Sequence, residues 1–193
     1  GPFFGTSSVT TGVYSGLPAS GPMTVSMWGL VSTTGAFYHL VGERNASSYN
    51  WQMRLNTSGQ ISFLSGAGVA TTGSAPVSGQ FNHLVMSMDS TGVVKLFING
   101  TLNATSASGQ TLGTNALHKL TIGNQTDGTQ PMSGYLDDVR LYNRNLTDTE
   151  IRLLSVRRGI AYESARQRNY KSAAGFRPHW ASQRTQIISG GTR

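Results

Sequence analysis

Cysteine is absent from this 193-residue chain, which excludes thiol catalysis, Cys-ligated zinc, iron–sulfur clusters and a disulfide framework. Charge is scarce as well, at 12% of residues, and the glutamates are Glu43, Glu150 and Glu163 alone. No apolar run approaches the roughly eighteen residues that a membrane-spanning helix needs, so no membrane partner is expected. The first residues also lack the basic, then apolar, then small-residue layout of a signal peptide. After Leu154 acid all but disappears, leaving Glu163.

What is present divides in two. Residues 1–154 hold seven basic and seven acidic side chains and are rich in Gly, Ser and Thr. Residues 155–193 hold eight basic side chains against Glu163, so the whole formal charge of +7 falls there. A neutral body with a cationic tail is expected, with the boundary at 154/155. About 154 residues suffice for one domain with its own apolar core and no metal or disulfide staple.

The body alternates with the period of a strand. Met23, Val25 and Met27 alternate with Thr24 and Ser26. Tyr49, Trp51, Met53 and Leu55 alternate with Asn50, Gln52 and Arg54, and Ile61 and Phe63 follow. Residues 81–89 and 93–98 are apolar strands around Ser90-Thr91-Gly92, and Asn99-Gly100 is a hairpin turn, since both residues tolerate positive φ. With 119–122 and 132–142 the count reaches ten to twelve short strands, an all-β, two-sheet antiparallel sandwich. One short helix closes it: Thr147 and Glu150 form a capping box, with Leu146 and Ile151 as hydrophobic staple. In 132–142, Leu136 and Val139 have opposite parity, so a β-bulge is expected at Asp137-Asp138.

The run Gly134-Tyr135-Leu136-Asp137-Asp138-Val139-Arg140-Leu141-Tyr142-Asn143-Arg144, followed by Leu146-Thr147 and Glu150-Ile151, resembles the closing signature of the laminin-G-like, concanavalin A-like jelly-roll family. Phe4-Gly5-Thr6-Ser7-Ser8, Met23-Thr24-Val25-Ser26-Met27-Trp28, Phe81-Asn82-His83-Leu84-Val85 and Leu96-Phe97-Ile98-Asn99-Gly100 fit the same template, so the resemblance covers residues 3–154. It implies a jelly roll whose relatives bind glycans or proteins, and fold alone does not choose among these. It also implies a structural calcium ion, for which Asp137 is the matching position, with further oxygens from carbonyls and water. The competing reading gives Asp137 and Asp138 to the bulge and to Arg140 or Arg144.

Catalysis has little to work with. Glycoside hydrolysis needs two carboxylates flanking the scissile bond. Glu43 reads as a turn residue, Glu150 as a cap and Glu163 as part of the tail; the acidic strand pair Asp137-Asp138 belongs to the bulge. No G-x-S-x-G, H-E-x-x-H, Walker or G-x-G-x-x-G sequence occurs, and His39, His83, His118 and His179 are too scattered to read as a metal site. A non-catalytic protein is expected.

Binding is the better reading. Trp51 and Met53 read as core, which turns Asn50, Gln52 and Arg54 outward as the polar half of a glycan site, with Tyr38 and His39 on the preceding strand. In the tail, Arg157, Arg158, Arg166, Arg168, Lys171, Arg177 and Arg184 interleave with Tyr162, Tyr170, Phe176 and Trp180. That mixture suits an acidic protein surface, through arginine forks and aromatic anchors, or a nucleic acid as the less favoured polyanion. Arg157-Arg158-Gly159-Ile160-Ala161-Tyr162 also resembles the extension that follows such bodies in phage-encoded and environmental-bacterial proteins. The expectation is a component of the virion surface, a capsid decoration, cement or fibre-associated protein within a larger assembly. Its tail would hold neighbouring virion or capsid subunits. The alternative is a secreted or cell-surface bacterial lectin-like domain.

Overall fold

The computed structural model describes residues 9–13, 21–31, 35–44, 48–66, 68–115, 117–125 and 129–156. Eleven strands and one helix follow in order: β1 (Val9–Val13), β2 (Met23–Val31), β3 (Tyr38–Arg44), β4 (Tyr49–Leu55), β5 (Ile61–Ser65), β6 (Gly68–Thr72), β7 (Phe81–Met88), β8 (Val94–Ile98), β9 (Thr101–Thr105), β10 (Lys119–Ile122), β11 (Gly134–Tyr142) and α1 (Asp148–Ser155). They form a six-stranded sheet, β1-β10-β3-β4-β5-β6, and a five-stranded sheet, β11-β2-β7-β8-β9. Neighbouring strands are antiparallel throughout. The all-β jelly-roll sandwich with one short helix is the expected fold. The basic tail, from Arg157 through Arg158, Tyr162, Arg166, Arg168, Tyr170, Lys171, Phe176, Arg177 and Trp180 to Arg184, lies outside the described residues.

The core fills the space between the sheets with alternate side chains, because successive side chains leave a strand in opposite directions. Met23, Val25 and Met27 of β2 meet Trp51, Met53 and Leu55 of β4, Phe63 of β5, and Leu84, Met86 and Met88 of β7. Trp51 and Phe63 are fully buried. Strand β7 is buried along almost its whole length, because its other side is covered too. There Val85 and Phe97 pack against Leu146 and Ile151, with Tyr142 and Leu154 at the margin.

Helix α1 thus serves as the outer cover of the five-stranded sheet. The Thr147 hydroxyl accepts from Glu150 N–H, and the Glu150 carboxylate accepts from Thr147 N–H at 2.9 Å, the reciprocal box expected of the sequence. Leu146 and Ile151 are both buried in the same cluster, as a staple requires. The approach to the helix is clasped to β2: Thr24 Oγ1 donates to the Arg144 carbonyl at 2.9 Å and accepts from Leu146 N–H at 3.0 Å.

The expected bulge is present. Between the pairs Asp137↔Trp28 and Arg140↔Ser26, β11 advances one residue more than β2, and Asp138 takes a left-handed φ of 51°. Leu136, Val139 and Leu141 consequently all pack on the core despite their mismatched parity. The hairpin at Asn99-Gly100 has φ of 52° and 78°, the positive pair that a two-residue primed turn requires.

One strand departs from expectation. Glu43 lies in β3 rather than in a turn, on the core-side register of Leu120 and Trp51. Its oxygen Oε2 accepts from the Asn50 amide at 3.0 Å. Burial pushes its carboxyl above the ordinary range, opposed by that hydrogen bond. The segment could not be read as a strand because Gly42-Glu43-Arg44 breaks the apolar alternation that signals one.

Candidate functional site

The outer side of the six-stranded sheet carries the polar half of the predicted site, in altered form. Trp51 and Met53 are core, so Gln52 and Arg54 do point away from it. An irregularity in β3 between His39 and Val41 brings His39 beside Arg54 and Gly42 beside Gln52. Across the sheet the outward rows are therefore Thr121, Gly42, Gln52 and Leu64, and His39, Arg54, Ser62 and Thr72. Tyr38 pairs with Leu55 and packs on the core instead.

Neither Asn50 nor Gln52 is accessible to a ligand, for two reasons. Asn50 is a clamp: its amide donates to Glu43 Oε2 and to the Asn115 carbonyl at 3.1 Å, and its own oxygen accepts from Asn115 N–H at 2.9 Å. That side chain fixes the loop before β10. Gln52 is fully buried, and its Nε2 donates to His39 Nδ1 at 2.8 Å. An acceptor Nδ1 leaves the ring proton on Nε2, which faces the Thr121 hydroxyl at 2.9 Å and its carbonyl at 3.2 Å. Gly42 makes this network possible. A Cβ there would lie 2.8 Å from the Trp51 carbonyl oxygen and 3.0 Å from both Gln52 Cα and His39 Cε1.

Arg54 is the member of the trio that remains accessible. Its guanidinium carbon lies 4.3 Å from the centroid of the half-buried Phe37 ring, an arrangement that holds a cation by the ring's electron-rich face. It makes no ion pair among the described residues, and its buried Nε has no hydrogen-bond partner there. Burial lowers its affinity for the proton, with Tyr49 opposing and the nearby Arg44 acting in the same direction as burial. Beside it, the Ser62 and Thr72 hydroxyls share a 3.0 Å hydrogen bond, with Thr72 exposed. Ser62 was readable from the Ile61 and Phe63 alternation. Phe37 was not, because the irregularity at residues 39–41 shifts parity between it and the rest of β3.

The six strands of this sheet carry a single carboxylate, Glu43, on the core side. The five-stranded sheet carries Asp137 and Asp138. Asp138 is held by Arg140 through two hydrogen bonds of 2.7 and 2.6 Å, and Asp137 Oδ1 accepts from Asp138 N–H at 2.8 Å. Both carboxylates serve the bulge. Among the described residues no three acidic or histidine side chains gather as a metal site. Calcium takes six or more oxygens; Asp137 and Asp138 are the carboxylates at this position, and the first loop that the resemblance would add lies outside the described residues.

His83, on the outer side of the other sheet, is a structural group. Its Nε2 is 2.9 Å from Ser26 Oγ and its ring lies 5.2 Å from Trp28. Burial drops its pKa to about 4, with Asp138 opposing and Arg140 assisting. Among the described residues no carboxylate reaches Nδ1, the third group that would orient a nucleophile–base pair.

Among solved structures, domain 4 of the extracellular GH43 arabinanase AbnA from Geobacillus stearothermophilus, in complex with arabinotriose, is similar at 26% identity over 72% of this chain and 69% of that one, with a TM-score of 0.54. The CBM40 of the Ruminococcus gnavus IT-sialidase, bound to α2,3-sialyllactose, is 17% identical over 80% of this chain and 97% of that one, with a TM-score of 0.61. A Trypanosoma rangeli sialidase matches at 22% identity over 70% of this chain with a TM-score of 0.51, but the chain spans only 22% of that enzyme. No curated protein is similar enough to count as a relative. The profile of the laminin G type, described as the concanavalin A-like lectin/glucanases superfamily, matches residues 4–152. With the two antiparallel sheets and the closing strand and helix, that match makes this chain a member of the concanavalin A-like lectin/glucanase superfamily.

Proposed function

We propose that the jelly roll is a non-catalytic glycan-binding module whose site lies on the outer side of the six-stranded sheet, around Arg54, Phe37 and Thr72. The observation that carries it is Arg54, partly exposed over an aromatic ring and in one row with the exposed Thr72 hydroxyl. An apolar ring face with a few convergent polar groups is what a sugar needs. The arabinotriose and sialyllactose complexes of the two similar domains support the reading. Glycan-array binding by the full chain is the test: the reading expects selective binding, weakened by Arg54→Gln with the melting temperature retained. Absence of binding to every glycan sinks it, and release of new reducing ends from a bound oligosaccharide sinks its non-catalytic part.

The more specific form places this module on a virion surface, as a capsid decoration, cement or fibre-associated protein. What supports it is the tail's composition, eight basic residues against Glu163. A secreted or cell-surface bacterial lectin-like domain is the alternative. Cross-linking residues 157–184 in intact particles separates them: the virion form expects adducts with other virion subunits, and adducts confined to the chain's own body count against it.

A further inference from the structure

We infer that the ligand of this outer face is a glycan bearing a carboxylate, which Arg54 receives; the inference rests on the glycan-binding reading above. Charge placement is the first argument. The outward positions of the six-stranded sheet include Arg44, Arg54 and Lys119 and no acidic side chain. Three other cations of the described body sit against anions: Arg140 on Asp138, Arg144 on Glu150 and Lys95 on Asp148. Arg54 has no carboxylate against it among the described residues, and its desolvated Nε lacks a hydrogen-bond partner there.

An arginine fork matches a carboxylate with two parallel hydrogen bonds, here through the terminal nitrogens of the guanidinium. The Phe37 ring fixes the guanidinium plane from one side, so the fork is oriented before ligand arrives and less rotamer freedom is lost on binding. Thr72, two strands beyond Arg54 in the same row, offers an exposed hydroxyl to the ring substituents of the sugar, backed by the buried Ser62 hydroxyl. A uronic acid and a sialic acid present the same chemistry here.

The test titrates the full chain with α2,3-sialyllactose, tri-galacturonate, the methyl esters of both, lactose and arabinotriose. The inference expects at least one acid to bind about tenfold or more tighter than its own ester, the worth of one charge-assisted hydrogen bond. It expects Arg54→Gln to abolish that preference and Arg54→Lys to keep part of it. The acid-to-ester comparison uses the unaltered protein, so it stands even if an Arg54 variant folds poorly. Equal binding of acid and ester, or tighter binding of the neutral sugars, overturns the inference while the module reading survives. No binding by any probe overturns the inference and, with a silent glycan array, the module reading as well.

Discussion

At the scale of single residues, three side chains lend themselves to measurement. His83 is neutral and buried, with a pKa near 4 against 6.5 when free. The unfolded chain therefore binds the proton first, and stability is lost as pH falls from 6.5 to 4. The loss is on the order of 3 kcal/mol, and His83→Gln should flatten that part of a denaturation-versus-pH curve. Below it, the exposed Glu150 carboxylate, held at about 2 by Arg144, adds a second window in which the helix cap weakens as pH drops from 4.5 toward 2. Gly42 tests packing. Gly42→Ala must push Trp51, Gln52 or His39 aside, and a loss of about 1–3 kcal/mol is expected by urea denaturation, with an unchanged or smaller effect refuting the close fit.

At the scale of elements, the helix and the bulge are the two devices with the clearest sequence cause. Thr147→Ala should cost about 1 kcal/mol, whereas Ile151→Ala should cost about 2–5 kcal/mol, because Ile151 is fully buried against the five-stranded sheet. Chemical denaturation of both variants checks the ranking. Capping box, staple, hairpin turn and bulge were legible because each is a local pattern of residue types. The candidate site was legible only in part. Alternation in β4 told which side Arg54 and Gln52 take, but not that Gln52 is buried, since burial depends on what lies over a sheet. The place of Phe37 depends on an irregularity at residues 39–41 that no residue type announces. Glu43 was misplaced because a carboxylate on the core side of a strand is legible only through its partner, Asn50, on the next strand.

At the scale of the molecule, charge and contact are separately disposed. The body through residue 154 balances seven cations with seven anions, and the excess lies beyond it. Binding through Arg54 should therefore weaken only gently with salt, while any polyanion binding through the tail should fall steeply, as several counterions are released together. Titrations at 50 and 200 mM salt on the full chain and on a chain ending at Val156 distinguish the two. Chelation followed by calcium titration tests Asp137 as a metal position: a structural calcium ion expects the melting temperature to rise when calcium is restored, and an unchanged melting temperature counts against it. The strand order also sets a schedule. Strand β2 is flanked by β7 and by β11, and β11 starts about 110 residues after β2, on the order of ten seconds of synthesis later. Until then one edge of β2 offers its backbone to any passing strand. Neither sheet can close on the ribosome before the last third of the body has emerged, so the chain carries an unpaired strand edge through most of its own synthesis.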